Sequence, residues 1–253
     1  MITIYIVWLL IYFPIQFLAW IRSDESWTYW LTFIQKSIFE GSYYTLWYLT
    51  GLMFSLTFSY ILFKLFKPKV TLLITLILFI IGTLLQSYYD VWQTNDLFST
   101  YYTLFLTTRN GLFFGSFFVS LGIFIAKEKT LLSQRWNVRF FFISLLLLTI
   151  EAFQMKHLEF TKGSGMWFML VPSTYFLFKT LQSLNLRNRK IFNYLRPFSL
   201  LVYLSHGLFL IIFNRIFYLN SILYFAIVLL GTCFLSVVII YYSKHCKLLK
   251  LLY

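Results

Sequence analysis

Apolar residues in this 253-residue chain run in blocks about as long as a bilayer is thick, and the stretch VTLLITLILFIIGTLL (70–85) carries no charge at all. Lipid offers no partner to an unpaired backbone N–H or C=O, so a segment crossing it alone must be a helix of ~20 residues. Eight blocks meet that requirement, at about 2–21, 43–63, 70–88, 104–126, 139–155, 164–180, 197–217 and 221–242. A transmembrane barrel would instead alternate apolar and polar residues. The chain therefore reads as all-α: one membrane domain over 1–253, a polytopic helical bundle of about eight transmembrane helices. The gaps between blocks are too short to hold a soluble domain.

Lysine and arginine concentrate on the cytoplasmic side of a membrane. Fifteen of the 21 cations fall in the second, fourth and sixth gaps, at their edges (Arg139, Lys179), or in the tail, from Lys64, Lys67 and Lys69 to Lys244, Lys247 and Lys250. The odd-numbered gaps hold six of the eight acids, Glu151 lies within the fifth block near the third such gap on its outer side, and Glu128 is the exception. The alternation predicts that the loops near Asn95 and Lys162 face outward and those near Lys67, Gln134 and Asn188 face the cytoplasm of a plasma-membrane protein. Both termini are then cytoplasmic. The net charge of +13 is on this reading a topology signal. A nucleic-acid partner is not expected, since basic residues interleaved with exposed aromatics on a soluble surface are missing.

Cys233 lies inside the last block and Cys246 in the tail, so no disulfide is expected. Three isolated histidines give no zinc-ligand spacing, and no phosphate-binding glycine loop is present. No metal or resident cofactor is expected. Met1 opens directly into apolar sequence without the basic flank of a signal peptide, which leads us to expect further sequence upstream.

The chemistry must come from the few polar residues within the apolar blocks. Arg109 and Asn110 stand at the mouth of the fourth, and an intramembrane arginine is by default a functional-site candidate, the alternative being a snorkelling anchor. Glu151 lies about twelve residues, ~18 Å along a helix, from Arg139. It can pair with Arg109, or exchange protons with an acceptor hydroxyl. His206 lies about ten residues, ~15 Å, into the seventh block. It can act as a base or proton relay, or pack as an interhelical hydrogen-bonding group. Gly111, Gly115 and Gly122 suggest a small-residue face for close helix packing. Tyr43, Tyr44, Trp47 and Tyr48 cluster where interfacial anchors collect; of these, Trp47 is the ring we single out for covering the apolar face of a sugar. Arg187, Arg189, Lys190 and Arg196 suit either coenzyme A phosphates or the topology signal alone.

Four ordered segments resemble the acyltransferase 3 family: YYTLWYLTGL (43–52), TTRNGLFFGSFFVSLG (107–122), Glu151 with the following loop and MWFMLVPSTYFLF (166–178), and LRPFSLLVYLSHGLFLI (195–211). The closest flavour is the branch that includes the membrane halves of vancomycin-resistance serine racemases. The resemblance implies an integral membrane enzyme that moves an acyl group, typically acetyl, from acyl-coenzyme A as co-substrate to a carbohydrate or lipid-linked acceptor at the cell surface. On that reading His206 and Glu151 are the catalytic candidates, Arg109, Asn110 and Trp47 the substrate-binding ones, and self-association is left open. The family's chemistry relies on a histidine in its first span and arginines after its second. The first block here resembles the family's third span, so this stretch alone is expected not to transfer acyl groups. Thr45 stands where relatives of the branch commonly carry histidine, which removes one candidate base. The alternatives are a transporter of a small polar solute such as an amino acid, and an inactive remnant; no inverted repeat with broken helices, the transporter's sequence signature, stands out.

Overall fold

The fold is that of a computed structural model, described for residues 1–23, 28–39, 41, 45–88, 107–128, 132–157, 165–184, 191–216 and 221–253. All regular elements among these residues are helical: α1 (Ile2–Ser23), α2 (Thr28–Phe39), α3 (Trp47–Leu65), α4 (Pro68–Ser87), a π turn (Gly111–Gly115) leading into α5 (Ser116–Lys127), α6 (Gln134–His157), α7 (Leu170–Ser183), α8 (Phe192–Ile216), α9 (Ser221–Tyr242) and a terminal 3₁₀ turn (Lys247–Leu252). Five of the helices are long and apolar enough to cross a membrane: Trp47–Leu65, Pro68–Ser87, Gln134–His157, Phe192–Asn214 and Ile222–Tyr242. Ile2–Leu18 and Gly111–Lys127 are shorter apolar helices.

The chain divides into two compact units, one of Met1–Thr50 with Arg187–Tyr253 and one of Gly51–Leu186. The first unit has its core at Trp8, Tyr12, Leu46, Leu49, Leu201 and Leu204. Its α2 was not expected from the sequence, because 12 residues including Lys36 are too short to read as a span. A ring cluster explains it: Trp30 packs against Phe13, Phe17 and Trp20 of α1, tilted or edge-on, with centroids 5.3–6.3 Å apart. Tyr29 adds a hydrogen bond from its hydroxyl to Gln16 Oε1 at 2.9 Å. The terminal turn returns to α1, where Trp8 Nε1 donates to the Leu252 carbonyl at 3.0 Å.

The second unit packs α4 against α5 around Phe79, Phe117, Leu121, Ile125 and Met166, with α6 and α7 as a hairpin. Lys67 ends the α3–α4 turn in extended conformation and Pro68 opens α4, a position where the missing N–H costs nothing. On α3 the small residues Gly51, Ser55 and Ser59, one turn apart, meet the π turn and α5. Ser55 Oγ donates to the Gly51 carbonyl at 2.6 Å and lies 3.0 Å from the Gly111 carbonyl, and Ser59 Oγ donates to the Ser116 carbonyl at 3.3 Å. Gly111 and Gly115 thus form the expected close-packing face. Gly122 does not: nothing lies within 4 Å of where its Cβ would be. Past the π turn the contact stripe passes through Ser116 and Ser120, and Gly122 lies two residues, ~200°, further round.

Several helix boundaries differ from the sequence reading. The fourth block was expected from 104, yet residues 107–110 are not helical; 104–106 lie outside the described residues. The sixth was expected from 164, but its helix begins at Leu170. The fifth and seventh begin earlier, at Gln134 and Phe192, so α8 carries Pro197 inside it. In both late-starting cases side chains, Gln86 in the first and Glu151 in the second, claim the backbone groups that would otherwise start the helix.

At the opposite end of the second unit Lys179, 2% exposed, pairs with Glu128 at 3.0 Å, and Tyr175 donates to the same carboxylate at 2.9 Å. Glu128 was the one acid among the cation-rich loops, and its partner comes from the last turns of α7. A lone acid in a basic loop is a signal for a structural ion pair that charge counting passed over.

Candidate functional site

The Arg109 backbone is held by its neighbours. Gln86 Oε1, at the end of α4, accepts from Thr108 N at 3.0 Å and from Thr107 Oγ1 at 3.1 Å. Thr108 Oγ1 donates to the Gly82 carbonyl at 2.7 Å, and Arg109 N donates to Thr107 Oγ1 at 3.0 Å. Asn110 then caps the π turn: its Oδ1 accepts from Leu112 N at 3.0 Å and Phe113 N at 3.2 Å, and its Nδ2 donates to the Thr107 carbonyl at 3.2 Å. These caps satisfy donors that a helix start leaves without partners. They also explain why residues 107–110 stay out of the helix.

Opposite Arg109 lies the segment that leads into α7. Gly165 has φ +118°, and a Cβ there would stand 3.2 Å from Arg109 Nη1 and 3.7 Å from its Cδ. Glycine is therefore required twice, by the backbone region and by the approach of the guanidinium. Three residues on, Glu151 holds the same segment. Its Oε1 accepts from Phe168 N at 2.8 Å and Tyr88 Oη at 2.9 Å, and its Oε2 from Met169 N at 2.7 Å. Ser87 Oγ donates to the Met166 carbonyl. A carboxylate on the free N–H groups at the start of α7 also complements the helix dipole. Tyr88, the first residue beyond α4, has its phenol pushed above the ordinary value, by burial first and by the hydrogen bond to and charge of Glu151 second.

The Arg109–Glu151 ion pair, one of the two roles open to Glu151, is not formed; both side chains converge instead on residues 165–169, from opposite ends of that segment. Arg109 is half-buried, and its planar set of donors suits a carboxylate, a phosphate or a developing oxyanion. Gln86, Tyr88 and Gly165 belong to this cluster and were not singled out from the sequence. A glutamine closing an otherwise apolar helix was the one available signal. Among the described residues no group of three His, Cys, Asp or Glu side chains could hold a metal ion.

His206 and Trp47 belong to the other unit. His206 is half-buried on α8, with Nδ1 against the Tyr203 carbonyl and its ring 5.4 Å from that of Tyr203. Tyr203 in turn meets Tyr48 edge-on at 5.3 Å, and Tyr48 meets Trp47 at 6.4 Å. Thr45 is fully buried and donates to Tyr12 Oη at 3.2 Å; Tyr12 donates to the Leu204 carbonyl at 2.7 Å. A Cβ at Gly207 would come within 2.7 Å of both Thr45 Cγ2 and Tyr12 Oη. Tyr12 is the residue of this polar spot that the sequence reading missed, since in α1 it reads as one apolar ring among many. Tyr43, Tyr44, Arg187, Arg189 and Lys190 lie outside the described residues; Arg196 is exposed on α8.

A family model described as an acyltransferase domain matches residues 2–241. The chain belongs to the acyltransferase 3 family. Relatives of this family member include two proteins of Enterococcus faecalis named as amino-acid racemases, one 28% identical over 70% of this chain and 25% of its own length, the other 25% identical over 98% of this chain and 36% of its own. A serine/alanine racemase of Enterococcus gallinarum is 29% identical over 69% of this chain and 25% of its own length. The chain thus spans between a quarter and little more than a third of the curated relatives it matches. No solved structure matches it. The match makes the chain an acyltransferase-family membrane protein.

Proposed function

We propose that the chain forms the membrane part of an O-acyltransferase that moves an acyl group, acetyl in the first instance, from acyl-coenzyme A to a carbohydrate or lipid-linked acceptor. The observation that carries this reading is the family match along nearly the whole chain. The Arg109 cluster supports it, because a guanidinium presented from a capped turn in a largely apolar unit is the kind of donor that thioester transfer needs for the carbonyl oxygen or for an anionic substrate group. In that role Arg109 contacts substrate, Asn110 holds the turn that presents it, and Glu151 fixes the opposing wall. His206 is proposed as the base or proton relay of its own unit, and Trp47 as a ring for the acceptor.

Arg109→Gln should lower acyl-coenzyme A turnover in membranes carrying the complete gene product by about 100-fold, the loss typical of one preorganised donor. Arg109→Lys should recover only part of it, because a point charge does not replace a planar fork. The unfolding midpoint of both variants, measured beside turnover, separates loss of the donor from loss of the fold. Parental turnover in Arg109→Gln would remove Arg109 from the site. A second reading, uptake of an amino acid, is favoured by the racemase names of the relatives. Accumulation of labelled serine or alanine in proteoliposomes that show no acyl-coenzyme A turnover would select it.

For orientation we infer eight crossings of the plasma membrane with both termini cytoplasmic. The cation alternation supports this, as does the contact of the terminal turn with the first half of α1. A cysteine placed at Gln134, in a Cys233→Ser, Cys246→Ser background, should react with an impermeant maleimide only after permeabilisation. Labelling in intact cells would reverse the topology.

A further inference from the structure

The start of α8 and the end of α9, both in the unit of Met1–Thr50 and Arg187–Tyr253, enclose a groove of about 400 Å³. Each wall is one helical stripe at i, i+3, i+4, i+7 spacing. Ile191, Leu195 and Phe198 form the apolar part of one, and Val237 and Ile240 that of the other. The outer residues of both walls stay exposed, Ile191 at 60% and Val237 at 56%, while Phe198 and Ile240 are half-buried. One charge lines the groove. Lys244 stands at its mouth with Nζ 5.8 Å from the Tyr194 ring and 5.9 Å from the Tyr241 ring, one ring from each wall. Lys247 and Lys250 follow in the terminal 3₁₀ turn.

We propose that this groove binds an anionic phospholipid, with one acyl chain along the apolar stripes and the headgroup phosphate on Lys244. The apolar walls select a hydrocarbon chain, since the alternative is exposed Ile, Leu, Phe and Val surface in the space between two helices. The ammonium selects the headgroup. A neutral lipid leaves Lys244 without a counter-charge, a zwitterionic one brings its own cation close to it, and an anionic one pairs with it while the two tyrosine hydroxyls border the headgroup. Basic pockets between helices are a recurrent means of holding anionic headgroups. The inference stands apart from the catalytic reading, because no residue of the Arg109 cluster takes part.

The test uses the full chain in phosphatidylcholine vesicles doped with phosphatidylglycerol or phosphatidylcholine bearing a photoreactive acyl chain, followed by mapping of the cross-linked peptides. Phosphatidylglycerol should label the peptides containing 191–198 and 237–244 about fivefold more than phosphatidylcholine, the preference one cation near an anionic headgroup gives. Lys244→Gln should bring that ratio close to one, and Lys244→Arg should keep it. Val237→Trp, which fills the groove and leaves the charge, should remove the label from both lipids, so the proposal remains testable if a Lys244 variant fails to fold. Equal labelling by the two lipids, or a ratio that survives Lys244→Gln, would overturn it. So would displacement of the label by palmitoyl-coenzyme A where excess unlabelled phosphatidylglycerol has no effect, which would assign the groove to an acyl donor.

Discussion

Glu151→Ala should lower the unfolding midpoint by about 10 °C, the shift expected for a loss of several kcal/mol in a chain of this size. Three donors converge on that carboxylate: Phe168 N, Met169 N and Tyr88 Oη. A hydrogen bond to a charged acceptor is worth ~1.5–3 kcal/mol, and its loss also strands the donor. Glu151 is only half-buried, so water can recover part of the loss, and the net cost is about 3–5 kcal/mol. Tyr88→Phe removes one of the three bonds and should cost only ~1–2 kcal/mol. Glu151→Gln keeps one acceptor oxygen but turns an amide N–H₂ toward a backbone N–H, and should fall between the two. Thermal unfolding in detergent followed by circular dichroism gives the order. A midpoint for Glu151→Ala within a degree or two of the parent would show that residues 165–169 are held by something else, and would return Glu151 to the candidates for proton transfer.

The second large effect concerns glycines that look alike in sequence. A Cβ at Gly111 would stand 2.5 Å from the Gly51 carbonyl oxygen and 2.8 Å from Phe54 Cβ. The first of these is backbone on the facing helix, so the methyl group forces α3 and the π turn apart, at a cost of about 3 kcal/mol. At Gly115 the Cβ would meet Ser55 Oγ at 2.0 Å. That hydroxyl can rotate away, which sacrifices its contact with the Gly111 carbonyl and makes Gly115→Ala milder, ~1–2 kcal/mol. Gly122→Ala meets nothing and should be neutral or stabilise by up to ~1 kcal/mol through helix propensity. The same unfolding assay ranks the three. A ranking in which Gly122→Ala is as damaging as Gly111→Ala would contradict the packing of α5.

The apolar blocks at 43–63, 70–88, 139–155, 197–217 and 221–242 each coincide over most of their length with a helix long enough to cross a membrane. Their existence was legible because transfer from water to lipid is a property of each residue, summed locally along the chain. The polar residues at the mouth of the fourth block and within the fifth were legible as candidates for the same reason, since a charge among apolar residues must be accommodated. What the pattern could not convey was their partners. Pairing of Arg109 with Glu151 was one of two open readings, because opposite charges in one half of a membrane attract. In the fold, Glu151 is taken up by the N–H groups that open α7 and by Tyr88, and Arg109 approaches Gly165.

Segment type and membrane class follow from the sequence alone, since hydropathy and charge act over one or two helical turns. The tertiary structure decided what depends on residues far apart in the chain. Gln86 withholds residues 107–110 from a helix that hydropathy would begin earlier, Glu151 fixes the turn from which α7 starts, and Trp30 draws a 12-residue segment into α2. Gly111 rather than Gly122 carries the close approach because the π turn and Ser116 set the direction of the contact stripe. In each case the deciding contribution is a hydrogen bond or packed surface whose partner lies on another segment, and its free energy exists only once the helices have found their neighbours.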